Sequence, residues 1–224
     1  MRVVGVDACP GGWVGVVLGD AGVERAVQAD TLQALAAQTP TAEGFGIDVP
    51  IGLPVDGVRA ADVAARRFLG VRRSSVFATP VRAALEAGTH AEASAIGRRL
   101  TGQGVSRQAY ALARSILDAD RWVAVAGAPV WEVHPEVSFA VLLGHPAHTS
   151  KKTWVGLQER LGALEDAGIA LGPLPGAGRA GPDDVVDAAA AAWSAARLVR
   201  GAGISLPDPP ELDPATGRAV AIWA

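Results

Sequence analysis

Val3-Val4-Gly5-Val6-Asp7 opens the chain, turns through Ala8-Cys9-Pro10-Gly11-Gly12 and continues into Trp13-Val14-Gly15-Val16-Val17-Leu18. A near-continuous apolar run of this kind belongs to a strand covered on both faces. An aspartate at the end of such a strand needs a partner or a metal, because an ionised acid held away from water is costly. A second stretch repeats the pattern: Phe45-Gly46-Ile47-Asp48-Val49-Pro50. Two such strands side by side point both carboxylates into one crevice, which is the beginning of a divalent-metal site.

Working outward, strands are expected near residues 2–8, 12–19 and 22–28, with Gly19-Asp20-Ala21-Gly22 as the second turn. Short turns between them make an antiparallel meander. Residues 31–38 read as a helix with Asp30 as its N-cap. A helical crossover then brings strand 44–49 back parallel to the first strand. From 59 to 120 the pattern is helical, interrupted by Pro80, Gly88 and Gly102-Gln103-Gly104. That is several helices, expected to act as a cap or substrate-facing layer. A fifth strand, 129–134, and helices near 135–144, 152–167 and 183–200 complete the expected chain, with the Gly/Pro-rich stretch 172–181 as a loop.

The chain has 224 residues, half of them hydrophobic, enough for a sizeable core in one domain, 1–224, with a helical insertion over roughly 55–128. A net charge of −3 argues against a broad polyanion-binding surface. Cys9 is the only cysteine, which excludes a disulfide within the chain and a thiolate metal cluster. The first strand starts directly after Met1, so no signal peptide is expected. The apolar stretch 185–199 is interrupted by Asp187 and Arg197 and is too short to span a bilayer. A cytoplasmic protein with no membrane association is the expectation.

The last helix opens with Pro182-Asp183-Asp184-Val185-Val186-Asp187, followed by an alanine run. Asp184 and Asp187 are three apart and project from one face. Acids in a first turn also complement the helix dipole, and Asp183 reads equally well as a cap. Asp187 sits at the edge of an apolar face and is the stronger functional candidate.

Asp7, Asp48 and the Asp184/Asp187 pair thus fall on strand one, strand four and the closing helix. This arrangement resembles the ribonuclease H-like fold, a mixed α/β sheet of a three-strand antiparallel meander plus parallel strands flanked by helices. The Asp-x-x-Asp pair is similar to that of its Holliday-junction resolvase branch. Further segments resemble the family known as domain of unknown function 429, described as predicted RNase H-like nucleases. They are Gly5-Val6-Asp7 with Gly11-Gly12-Trp13, 46–54, 72–77 with Thr79-Pro80, Ser106-Arg107-Gln108, 132–136, 150–153 and 184–188.

The resemblance implies a nuclease that hydrolyses phosphodiesters of DNA or RNA, with a homodimer as one arrangement. Its chemistry would be two-metal catalysis, with Mg²⁺ or Mn²⁺ ions about 3.5–4 Å apart. Asp7 would bridge the metals, Asp48 would hold one, and Asp187, with or without Asp184, the other. The resolvase branch often has glutamate where Asp48 stands.

Glu132 and His134 share one face of the fifth strand, which would place Glu132 as a fourth carboxylate and His134 as an acid or base. Alternatively Pro135 ends the strand, Glu136 lies in the first turn of a helix and His134 is a satisfied polar residue. Arg72, Arg73 and Ser74, and Lys151 and Lys152, the only two lysines, are candidate phosphate contacts. Trp13 and Trp193 are expected to fill core, and Trp223 to pack the chain end or an oligomer contact. Two other functions stay open: a nucleotide-binding phosphotransferase of the actin, Hsp70 and sugar-kinase type, using the Gly11-Gly12 turn on a phosphate, and a noncatalytic nucleic-acid-binding relative.

Overall fold

The computed structural model describes residues 1–224. Strand β1 (Arg2–Cys9) lies in the middle of a five-stranded sheet, paired antiparallel with β2 (Gly12–Gly19) and parallel with β4 (Phe45–Ile47). Strand β3 (Gly22–Ala29) adds antiparallel to β2, and β5 (Val130–Glu132) adds parallel to β4, giving the order β3-β2-β1-β4-β5. The architecture is therefore mixed α/β, with a five-strand sheet flanked by helices.

Both faces of β1 are covered, as its apolar run requires. Val4 and Val6 point to one side, into a core with Trp13, Ile47 and the helices α1 (Leu32–Ala37) and α6 (Ala113–Val123). On that side Phe45 meets Trp122 edge to face, ring centroids 5.0 Å apart. Val3 points the other way, into a core with Phe139 of α7 (Pro135–Leu143), Leu164 of α8 (Trp154–Asp166) and the alanines of α9 (Pro182–Val199).

The period of two then fixes which residues face α9: Gly5 and Asp7 on β1, Gly46 and Asp48 on or just past β4. Gly5 and Gly46 are direct partners in the parallel ladder. Together they form a seat without side chains. A Cβ on Gly5 would lie 2.0 Å from the Ala188 carbonyl oxygen and the Ala192 nitrogen, and one on Gly46 would lie 2.5 Å from the Ala191 carbonyl oxygen. Helix backbone rests on strand backbone here, and the run Ala188–Ala192, fully buried, is the matching surface.

Between β4 and β5 the chain makes α2 (Ala60–Leu69), a 3-10 turn over Gly70–Ser75, α3 (Arg82–Leu85), α4 (His90–Thr101), α5 (Arg107–Ala111) and α6. Helix α4 is bounded as its residues dictate. Thr89 and Glu92 form a reciprocal capping box, and Gly102 ends it at φ 75°.

Three expectations are corrected. The N-cap of α1 is Thr31, whose hydroxyl accepts from the Ala34 N–H at 3.2 Å, and not Asp30. The chain does not finish with α9: β6 (Ser205–Leu212) and β7 (Ala219–Trp223) follow as an antiparallel hairpin. Pro207, Pro209 and Pro210 hide β6, because proline cannot donate to a ladder, and pairing is confined to the strand's two ends. Trp223 pairs with Ser205 and bridges to Val133 beyond β5, so it closes the chain end within this molecule. Trp193 is only half-buried, with the Arg197 guanidinium 4.8 Å over its ring, whereas Trp13 is buried and donates to Asp118 at 2.8 Å. The loop at 172–181 is seated on β3, where Arg179 N–H donates to Gln28.

The glycine seat carries a direct test. Gly5→Ala forces α9 off the sheet, an overpacking that costs about 3 kcal/mol or more. For a chain of this size that corresponds to a Tm lower by about 6–12 °C, measurable by thermal denaturation. An unchanged Tm would contradict the close approach of α9.

Candidate metal centre

The strand and helix spacings converge on one point. From Gly5 to Asp7 the strand advances about 6.6 Å, and from Ala191 back to Asp187 the helix advances about 6 Å. With the alanines lying on the glycines, Asp187 therefore arrives beside Asp7 and Asp48. Each of these three aspartates offers one carboxylate oxygen, and the three oxygens lie within 4.8 Å of one another. The Asp48 N–H donates to the Val6 carbonyl at 2.9 Å, which extends the β4 pairing one step and locks Asp48 next to Asp7.

Asp7 and Asp187 are buried, and Asp48 is half-buried. Asp7 Oδ1 accepts the N–H of Ala8 at 2.7 Å. Asp187 Oδ2 is ion-paired with Lys151, while Asp187 Oδ1 is buried with no hydrogen-bond partner. Burial, then repulsion from Asp48 and Asp187, raises Asp7 well above the ordinary aspartate range. Asp187 is pushed up to about 7 by burial, partly opposed by Lys151 and reinforced by Asp48. Asp48 is also pushed up to about 7, by burial first, with Lys151 opposing and Glu132 and Glu136 adding. Lys151 moves the other way: burial disfavours its charge, but Asp187, Asp48 and Asp7 outweigh that and hold the ammonium protonated.

The aspartates line a cleft of about 330 Å³ between the sheet, the inserted helices and the segment joining α7 to α8. Asp184 also lines it, but lies outside the three-oxygen cluster. Its Oδ2 accepts the Gly181 N–H at 2.9 Å, so Asp184 and not Asp183 closes the start of α9.

Glu132 does not join the cluster either. Arg59 donates to both of its oxygens, at 2.7 and 2.8 Å, and Ile51 N–H donates at 2.7 Å. The same guanidinium binds Asp62 at 2.6 Å, and Asp62 accepts from the N–H and hydroxyl of Thr79. This buried Arg59–Asp62–Glu132 triad ties α2, the segment after Asp48 and β5 together along the lining of the same cleft. Sequence reading missed Arg59 and Asp62, because an acid in a first helical turn reads as a dipole partner and the glutamate is 73 residues from Arg59.

Glu136 is held by Arg160 at 2.6 Å and approached by Arg72 at 3.5 Å, and its Oε2 is left unpartnered. Arg72 and Ser74 line the cleft with Lys151 and Lys152, but Arg73 does not. Lys151 faces carboxylates, so its position differs from that of a simple phosphate contact. Neither Arg72 nor Arg73 pairs with the three aspartates.

His134 Nε2 lies 3.3 Å from the Ser75 carbonyl, which can only accept, so Nε2 carries the proton and Nδ1 is a free lone pair. Burial lowers the His134 pKa, opposed by that carbonyl and by Glu136, and keeps the ring neutral. The remaining histidines lie elsewhere: His90 contacts Val105, and His145 stacks near His148.

The raised aspartates make stability depend on pH in a defined direction. An unfolded aspartate titrates near about 3.9, so between that value and about 7 the folded chain holds protons that the unfolded chain has lost. Their contribution is complete below pH about 4 and disappears as pH rises through about 7. In metal-free buffer the Tm is expected to fall between pH 5 and 8, and Asp48→Asn to flatten that fall. A fall of equal size in the variant would contradict the assignment.

No curated protein matches the chain, and no solved structure does. A family model described as Protein of unknown function (DUF429) matches residues 5–212. That span runs from β1 to the end of β6 and includes Asp7, Asp48 and Asp187, and the chain belongs to this family.

Proposed function

We propose that the protein is a divalent-metal-dependent phosphodiesterase acting on nucleic acid, with a ribonuclease H-like core. The observation that carries the reading is the meeting of Asp7, Asp48 and Asp187 with a buried, unpartnered oxygen on Asp187. The sheet order, three antiparallel strands followed by two parallel ones, supports the fold assignment.

The donor set is all carboxylate oxygen, which suits a hard cation such as Mg²⁺ or Mn²⁺ and disfavours zinc. Asp7, Asp48 and Asp187 would hold the metal, with Asp184 one turn away on α9. Bound there, the ion would activate water and stabilise charge on the reacting phosphate.

The overall step is hydrolysis. A water oxygen bonds to phosphorus, one P–O ester bond breaks, and the departing oxygen takes a proton. Arg72, Ser74 and Lys152 line the same cleft as the acids and can bind the non-bridging oxygens, Arg72 through a guanidinium fork. Lys151 balances part of the negative charge and competes with an incoming cation for Asp187. His134, neutral and with Nδ1 free, can take a proton at that atom. The Arg59 triad and the Arg160–Glu136 pair keep the walls rigid, because removing one partner of a buried pair strands a charge at a cost of about 3–5 kcal/mol.

Asp7→Asn tests this directly. It is expected to lower Mn²⁺-dependent hydrolysis of bis(p-nitrophenyl) phosphate at least 100-fold and to weaken Mn²⁺ binding measured by calorimetry. Wild-type activity together with unchanged affinity in the variant would overturn the proposal.

A further inference from the structure

The cleft is not uniformly polar. The aspartate cluster shares its lining with Arg72, Ser74 and Lys152. The insertion, which supplies Arg72 and Ser74, also contributes Phe77, Leu112 and Gln108 to the lining. Phe77 and Leu112 are half-buried, and Gln108 is exposed at the rim with none of its side-chain atoms engaged in a hydrogen bond within the chain. An aromatic ring, an aliphatic side chain and a free amide in one cleft with phosphate-binding side chains are the groups that hold a nucleobase: stacking on one face, apolar contact on the other, and an edge read by the amide.

Size sets the second limit. Pockets for small ligands span about 300–1,000 Å³, so a cleft of about 330 Å³ has room for about one nucleotide. The net charge of −3 supplies no broad positive surface along which a duplex could be tracked. A paired base cannot offer its face to Phe77 without leaving its stack, and unstacking costs a few kcal/mol.

We propose that this site takes an unpaired terminal nucleotide. Its base lies between Phe77 and Leu112 with an edge on Gln108, its phosphodiester lies over Asp7, Asp48 and Asp187, and the cleft discriminates against duplex and against closed strands. This rests on the phosphodiesterase reading above and narrows its substrate. The same chemistry is presented by the end of a single strand and by a free dinucleotide.

Binding decides the matter independently of turnover. The full chain in Ca²⁺ is titrated with an internally labelled linear single-stranded oligonucleotide, its covalently closed circle and its duplex, read by fluorescence anisotropy. The linear strand is expected to bind at least tenfold more tightly than either of the others. Gln108→Ala, at an exposed position where folding is not at risk, is expected to weaken linear binding at least fivefold. A circle or duplex binding within tenfold of the linear strand, or a Gln108→Ala variant within twofold of wild type, would overturn the inference.

Competition by a dinucleotide separates the two sources. Displacement at concentrations similar to the linear strand identifies the small molecule, and displacement needing at least 100-fold more identifies the strand end. Failure to hydrolyse any of these in Mn²⁺ would overturn the hydrolytic reading alone, while the preference among linear strand, circle and duplex still decides the binding proposal.

Discussion

Backbone-to-backbone contact between α9 and the two central parallel strands is the constraint from which the rest of the structure follows. Gly5 and Gly46 are neighbours in the ladder, and neither can carry a Cβ without striking the carbonyls and amides of Ala188–Ala192. This closeness leaves no room for side chains between helix and sheet, so the next available positions toward the strands' carboxyl ends must fill the space. Those positions are Asp7, Asp48 and Asp187. Three acids are brought together because the helix rise and the strand rise advance by nearly the same amount over that distance.

Such convergence is electrostatically unfavourable, and the surroundings offset it only in part. Lys151 supplies one positive charge at the cluster itself. The other buried acids nearby are neutralised separately: Glu132 and Asp62 by Arg59, and Glu136 by Arg160 and Arg72. The guanidinium groups of Arg59 and Arg160 are thus committed to other acids, and Arg72, 3.5 Å from Glu136, does not pair with the three aspartates either. The result is a compact set of carboxylate oxygens, the donor type that a hard cation takes, in a cleft that the insertion also lines. The local cost is visible as aspartates held far above their ordinary protonation range.

Much of this is legible in the chain itself. The meander β1–β3 and the returning β4 follow from apolar runs separated by glycine turns, and the strand-terminal aspartates stand out because an acid ending a doubly covered strand is chemically conspicuous. The Asp187 position is readable from the alanine run that follows it. The hairpin β6–β7 is not, since its prolines mimic a loop. The Arg59–Glu132 pair is also hidden, because partners far apart in sequence leave no periodic mark. Lys151 reads as a phosphate contact on its charge alone, whereas its neighbours are carboxylates. Residue type marks the positions where charge gathers, and only tertiary placement shows what each charge faces.

The central claim is that Asp7, Asp48 and Asp187 form a cation site. An anomalous difference map from a crystal soaked in Mn²⁺ tests it most directly. A peak is expected between the three carboxylates, with the Lys151 ammonium displaced from Asp187. Mn²⁺ bound elsewhere, with Lys151 still paired to Asp187 and no peak among the aspartates, would contradict it.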